Sequence, residues 1–327
     1  MKISPILFIL LLLSFVIFEQ PKAAVAEFSS NQATREEYFE NGLIKLRETL
    51  RAGLRHGATT EYYPDGKIKS QVEYKDGLRD GVTKEYSDLG NVLLEANYVN
   101  NERHGITKEY DEHGILRKVI EYEGGQQTGV TKIYNDQGKM AFKIDYKNGQ
   151  LNGEAIEYNE DGSVKVTSHY RDNQKEGSSR RYFDNGNVWV DANFHNNLQH
   201  GVSMEFYENG QIKALANHKE GKLHGISKTY FESGILKGEV SFVDDLQDGK
   251  AIEYYENEQI KLEANYTAGK QNGQTTAYKQ DGSVDAQVTY IHGEPQGIPV
   301  EIPMTFTFQI PTQITFELVG PSSESQK

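Results

Sequence analysis

An all-β fold, built from tandem 24-residue β-hairpin repeats that form one elongated, twisted antiparallel meander, is what three features of this sequence predict. A glycine recurs every 24 residues, at Gly57, Gly81, Gly105, Gly129, Gly153, Gly177, Gly201, Gly225, Gly249, Gly273 and Gly297, with no insertion or deletion. Inside each unit apolar and polar residues alternate with a period of two, the periodicity of strands. Turn dipeptides such as Asp65-Gly66, Asn185-Gly186, Asn209-Gly210 and Asp281-Gly282 fall at one fixed phase. A strict period means one supersecondary unit copied along an axis, each copy contacting mainly its neighbours.

The first element is a targeting segment. Lys2 precedes the apolar run Ile6 to Phe18, and Ala24-Val25-Ala26 offers the small residues a signal peptidase prefers. Residues 1–26 are therefore expected to be a signal peptide and 27–32 a short linker. The run is shorter than the roughly twenty residues of a membrane span, and an N-terminal membrane anchor is the alternative. The expected location is periplasmic, cell-envelope or secreted. With no Cys there is neither a cysteine-linked lipid nor a disulfide framework, so the sheet alone must hold the chain.

Residues 33–297 read as eleven repeats. The unit is clearest from Gly105 to Thr128. An aromatic follows the first Gly by five residues, as in Tyr62, Tyr86, Tyr110 and Tyr134. A second ring follows by seventeen, as in Tyr74, Tyr98 and Tyr122, replaced once by His218. Tyr38, Gly42 and Gly53 are in phase with Ala33 in place of the opening Gly, so 33–56 is a degenerate first unit of the kind that caps arrays. On the first strand of one unit Val82, Lys84 and Tyr86 point one way and Thr83 and Glu85 the other. On the second, Val92, Leu94, Ala96 and Tyr98 share a face opposite Leu93, Glu95 and Asn97. The Asp-Gly and Asn-Gly pairs suit tight hairpin turns, and longer connections such as Lys147 to Asn152 reverse the chain again. The sum is roughly twenty-two strands, each hairpin advancing about 9.6 Å.

An aliphatic series from Ile68 and Val92 to Val284 runs down one face beside the tyrosines. A face of that size must curl over itself, dimerise through face or edge, or bind something. Residues 298–327 are expected to form a C-terminal β cap and disordered tail, with the alternating segment Met304 to Val319 covering the last edge.

Charge narrows the partners. Cleavage after Ala26 removes Lys2, Lys22 and Glu19, taking 35 basic and 48 acidic residues to 33 and 47, a net of −14. That balance disfavours nucleic acid and anionic membrane, both of which are bound through excess Lys and Arg.

Candidate chemistry is sparse. His200 and His224 share a phase one unit apart, about 10 Å, too far for two imidazoles that each need about 2.0–2.1 Å to one zinc. The glutamates Glu61, Glu85, Glu109, Glu157, Glu205 and Glu253 recur with the repeat beside Thr83, Thr107, Ser203 and Ser227, and read as a solvated polar face. The turns at Asp161 and Asp281 lack the ligand series of an EF-hand. No nucleophile elbow, phosphate loop or dinucleotide fingerprint occurs. The expectation is a protein that is not an enzyme, with no catalytic residue, metal or cofactor. Regular tyrosines can anchor a protein or stack on sugars, or simply pair across strands. Positions that break the pattern, Phe142, Trp189 and His218, mark local binding spots, and with the ladder residues Tyr86, Tyr110 and Tyr134 they make up the candidate binding face.

The in-phase Gly, Tyr and turn Gly, with His56-Gly57, His104-Gly105, His200-Gly201 and His224-Gly225, resemble the variant MORN repeat common in bacteria. The resemblance covers 33 to about 297. It implies a hairpin array, and many members of that group are labelled the antitoxin component of a toxin–antitoxin system. The expected function is a non-enzymatic exported scaffold for protein–protein interaction. The alternatives are an envelope glycan-binding or structural module using the tyrosines, and an immunity or antitoxin protein neutralising a toxin.

Overall fold

The computed structural model describes residues 24–28 and 32–297; the apolar run expected to direct export and the cap and tail expected at 298–327 lie outside them. The strand Ala24–Phe28, which spans the expected cleavage point, pairs antiparallel with Gln32–Tyr38, Ala24 standing opposite Glu36. From there each strand pairs with its neighbours in sequence, through Ile44–Arg51 and Leu54–Tyr62 to Val284–Ile291 and Glu294–Gln296. One antiparallel sheet of 28 strand segments results.

Eleven hairpins account for most of these segments. Four two-residue segments, Glu102–Arg103, Leu198–Gln199, Lys222–Leu223 and Lys270–Gln271, are each the start of a longer strand interrupted by one residue. At each interruption a backbone amide reaches across to an asparagine carbonyl, as His104 N–H does to Asn97 O at 2.9 Å. The cause is a bulge at the repeat glycine, present from Gly57 to Gly273. Val72 faces Thr83 and Tyr74 faces Arg79, leaving Asp80, Gly81 and Val82 against Glu73 alone. A bulge of this kind bends the strand and raises its twist.

The two connections exchange the roles expected of them. In the Asp65-Gly66 loop only Gly66 has positive φ, and Gly66 N–H donates to Tyr63 O while Tyr63 N–H donates to Lys67 O. This is a longer loop closed by a glycine in the left-handed region. The tight two-residue turn lies in the other connection, where both residues take positive φ: Asp76-Gly77, Asn100-Asn101, Asp172-Asn173 and Asp244-Asp245. Each such turn donates one amide back to the preceding unit, Gly77 to Arg55 O, Asn101 to Arg79 O and Gly125 to Arg103 O, and so on to Gly293 and Gln271 O. Where the second turn residue is Asn or Asp, its side chain also accepts an amide, from Arg79 to Asn101 and from Leu223 to Asp245. These bonds tie unit to unit along one edge.

The faces differ from the expectation in one respect. Thr83 stands opposite both Val72 and Ala96, and Ser203 opposite Ala216. Among the described residues this Thr, Ser and Ala series is deeply buried: Thr83 and Ser203 are 1% exposed and Ala216 fully covered. The series read as a neighbour of solvent is therefore the inner strip of the sheet. Small side chains there are roofed by the long ones beside them. Leu223 and Tyr266 pack on the cluster of Val240, Phe242 and Ala251 in the same manner. A second bulge, between Glu85 and Tyr86 and their partners, makes Leu93 the extra residue and sets Val92 opposite Tyr86. Val92 thus does not continue the Leu94, Ala96, Tyr98 series, and the two tyrosine series lie on opposite faces of the sheet.

Candidate functional site

The inner face carries its chemistry at one recurring position, occupied successively by Arg55, Arg79 and Arg103. Each guanidinium lies over the tyrosine of the facing strand: Arg55 over Tyr74 at 5.2 Å, Arg79 over Tyr98 at 5.3 Å, Arg103 over Tyr122 at 5.2 Å. Such cation–π contacts favour partly desolvated guanidinium groups. Arg103 also donates from Nε to the Tyr98 hydroxyl (3.3 Å) and from Nη1 to the Tyr122 hydroxyl (3.1 Å).

At the N-terminal end the strip changes character. Arg35 stands where later units have Thr59 and Thr83, and Glu48 where they have Val72 and Ala96. Glu48 is 1% exposed and bridges two guanidiniums, Oε1 to Arg35 Nε at 2.6 Å and Oε2 to Arg55 Nε at 2.7 Å. A buried carboxylate is tolerable only with such pairing. Beside it the face is hollowed into a groove of about 330 Å³ lined by Arg55, Arg79 and Lys69, by the carboxylates Glu61 and Glu85, and by Tyr63, Tyr74 and Val72. None of these arginines was singled out from the sequence, although their 24-residue spacing was there to be seen.

The expected binding residues are not gathered in one place. Tyr86, Tyr110 and Tyr134 lie on the outer face, half-buried, with the Tyr86 hydroxyl donating to Gln71 Oε1 (3.1 Å) and that of Tyr110 to Glu95 Oε2 (3.4 Å). The Lys84 ammonium, with Lys108 beyond it, holds Glu95 below the usual carboxylate range. Phe142 sits on the inner face between Ile133 and Glu157. Trp189 is the extra residue of its bulge; it stacks on Phe183 (centroids 5.5 Å), lies under Arg181 (4.7 Å), and donates from Nε1 to Glu205 (3.4 Å). Its ring is therefore engaged within the chain. His218 is buried at 8% exposure with Nδ1 3.5 Å from Ser203 Oγ, and burial pushes its pKa down.

The glutamate series shares the inner face with the buried Thr and Ser strip, at its margin, and pairs with lysines at the bulge: Lys165 to Glu157 (2.6 Å), Lys213 to Glu205 (2.8 Å), Lys261 to Glu253 (2.7 Å). His224 faces Asp244 at 3.5 Å, and His200 meets His195 edge-on. Among the described residues no group of three or more His, Asp and Glu is placed to hold a metal.

A uniform meander of hairpins, tied turn to turn and varied only in the side chains it displays, defines a β-hairpin repeat scaffold. The MORN repeat variant family model matches nine stretches, residues 55–76, 79–100, 103–123, 127–148, 151–172, 175–196, 199–220, 223–244 and 247–268. The chain belongs to that family. No curated protein matches it. A crystal structure of TcdB2-TccC3-TEV aligns at 12% identity over 81% of this chain and 15% of its own length, with a TM-score of 0.18. A likeness at that level carries no weight for fold or function, and this chain spans only a small fraction of that one.

Proposed function

We propose that this chain is a non-enzymatic, exported scaffold that holds a protein partner against the inner face of its sheet. One observation carries the reading. The hairpin frame recurs every 24 residues while a single inner position passes from Arg55, Arg79 and Arg103 to Gln127, Leu151, Lys175, Gln199 and Leu223. A constant frame thus displays a surface graded along its length, and half-exposed Arg and Tyr are the residue types that anchor protein interfaces. The export element rests on the N-terminal apolar run and the small residues that follow it. An immunity or antitoxin role is the narrower form of the same reading, in which the partner is a toxin.

The test is crosslinking of tagged chain in cells, followed by mass spectrometry of what is recovered. One stoichiometric protein, crosslinked to inner-face positions, supports the reading and names the partner. Recovery of no protein, together with binding of isolated envelope polysaccharide that is lost on Tyr→Ala changes in adjacent units, overturns it. So does turnover of a substrate abolished by one point substitution.

A further inference from the structure

The three stacked arginines are not equally satisfied. Arg55 is neutralised by Glu48. Arg79 and Arg103 have no carboxylate within 4.0 Å among the described residues, in a chain with 48 acidic and 35 basic residues. On the outer face, by contrast, Lys84 and Lys108 both reach Glu95. A guanidinium presents five N–H donors in a planar fork suited to carboxylate. Arg103 commits two of its nitrogens to tyrosine hydroxyls. Both arginines are half-buried, and Arg79 lines the groove, where Glu61 is paired with Lys69 at 3.5 Å. The aromatic rings beneath the arginines recur with the same repeat, Tyr98 among them buried.

We infer that this part of the inner face is a docking groove for an acidic, extended segment of a protein partner, held in polyproline II conformation with carboxylates three residues apart. The assignment rests on the protein-binding reading above and gives its partner a chemistry. Spacing selects the conformation. Equivalent side chains in successive units are about 9.6 Å apart, two strand spacings of ~4.8 Å. A polyproline II helix advances ~3.1 Å per residue with three residues per turn, so residues i and i+3 share a side at about 9.3 Å. Carboxylates at that interval meet Arg79 and Arg103 in step. A β-strand places same-side residues about 6.6 Å apart and falls out of register. Such a helix binds without the ordering cost of a flexible chain.

The experiment uses the full chain and a fluorescein-labelled peptide of Glu-Pro-Pro repeats, read by fluorescence anisotropy. The expected result is saturable binding, weakened roughly tenfold or more in Arg79→Gln and again in the Arg79→Gln/Arg103→Gln double variant, as loss of a charge-assisted fork would give. Gln is the residue this same position carries at Gln127 and Gln199, so the variants keep a residue the fold already accommodates, and an unchanged circular dichroism melt checks it. Equal binding of the Gln-Pro-Pro peptide, or of the wild type and double variant, overturns the assignment. Tighter binding of polygalacturonate with the same arginine dependence makes the occupant a polysaccharide and overturns it too. If cellular crosslinking recovers the same protein from wild type and double variant, the scaffold reading stands and the groove assignment falls.

Discussion

Two glycines at the same position of the repeat should respond very differently to alanine. Gly153 has φ of +123°, a region essentially closed to residues with a side chain, and a Cβ built on it would lie 2.7 Å from both the Cβ and Oδ2 of Asp145. Gly105 has φ of +76°, and an added Cβ would meet nothing within 4 Å. For Gly105→Ala the cost is that of one residue in the left-handed region, about 1–2 kcal/mol. Gly153→Ala carries backbone strain of order 1–3 kcal/mol and, in addition, displacement of a packed side chain costing another 1–3 kcal/mol, so a total of roughly 2–6 kcal/mol is expected. Urea unfolding followed by circular dichroism gives the difference in midpoint. Because long repeat arrays need not unfold in one step, hydrogen exchange over Gln150–Tyr158 and Val164–Arg171 should locate it. Equal shifts for the two variants would refute the reasoning, since the shared sequence position would then matter more than the local geometry.

Three further outcomes follow from the inner strip. Thr83 Oγ1 is buried without a hydrogen-bond partner, so Thr83→Val should raise stability by about 1 kcal/mol; a loss of that size in the urea midpoint would show the hydroxyl to be satisfied. Glu48→Gln removes the charge between Arg35 and Arg55, each 40% exposed, and water screening limits the expected loss to about 1–2 kcal/mol; no change in midpoint would mean the bridge contributes nothing net. The pKa of His218 is depressed below 6.5 by burial. The unfolded chain therefore binds a proton that the folded one refuses, and stability falls as pH drops through 6.5 toward the folded value. His218→Phe, the residue found at Phe194 and Phe242, should flatten that part of the difference in urea midpoint between pH 7.5 and 5.5; identical acid sensitivity in both chains would contradict it.

The unit length, the hairpin and the alternation from Val82 to Tyr86 were legible because period and side-chain polarity are direct records of strand geometry. The bulges were not. An extra residue such as Leu93 or Trp189 has no compositional mark, yet it resets which face every later residue occupies, so Val92 parted from Leu94. The tight turn was hidden for a related reason. Asp65-Gly66 and Asn100-Asn101 both favour positive φ, and only the closing hydrogen bonds distinguish a loop with one left-handed residue from a turn with two. Thr83 and Ser203 looked solvent-facing on polarity, but their small size lets neighbours roof them. The arginines Arg55, Arg79 and Arg103 were passed over because charge suggests a wet surface, whereas tyrosine rings hold these three at a partly desolvated face. What binds them left no trace in the spacing of glycines and aromatics.

The amide that each tight turn returns to the unit before it has a mechanical consequence. The bonds joining one hairpin to the next, such as Gly77 to Arg55 and Asn101 to Arg79, are loaded one after another rather than together when the two ends of the chain are drawn apart. Tension then peels the array open unit by unit from an end, and release lets each hairpin close again on the last intact edge. Opening would then proceed in steps of one repeat, the strand ladder parting together with the turn amide and, at Asn101, Asn173, Asn197 and Asp245, with one further side-chain bond.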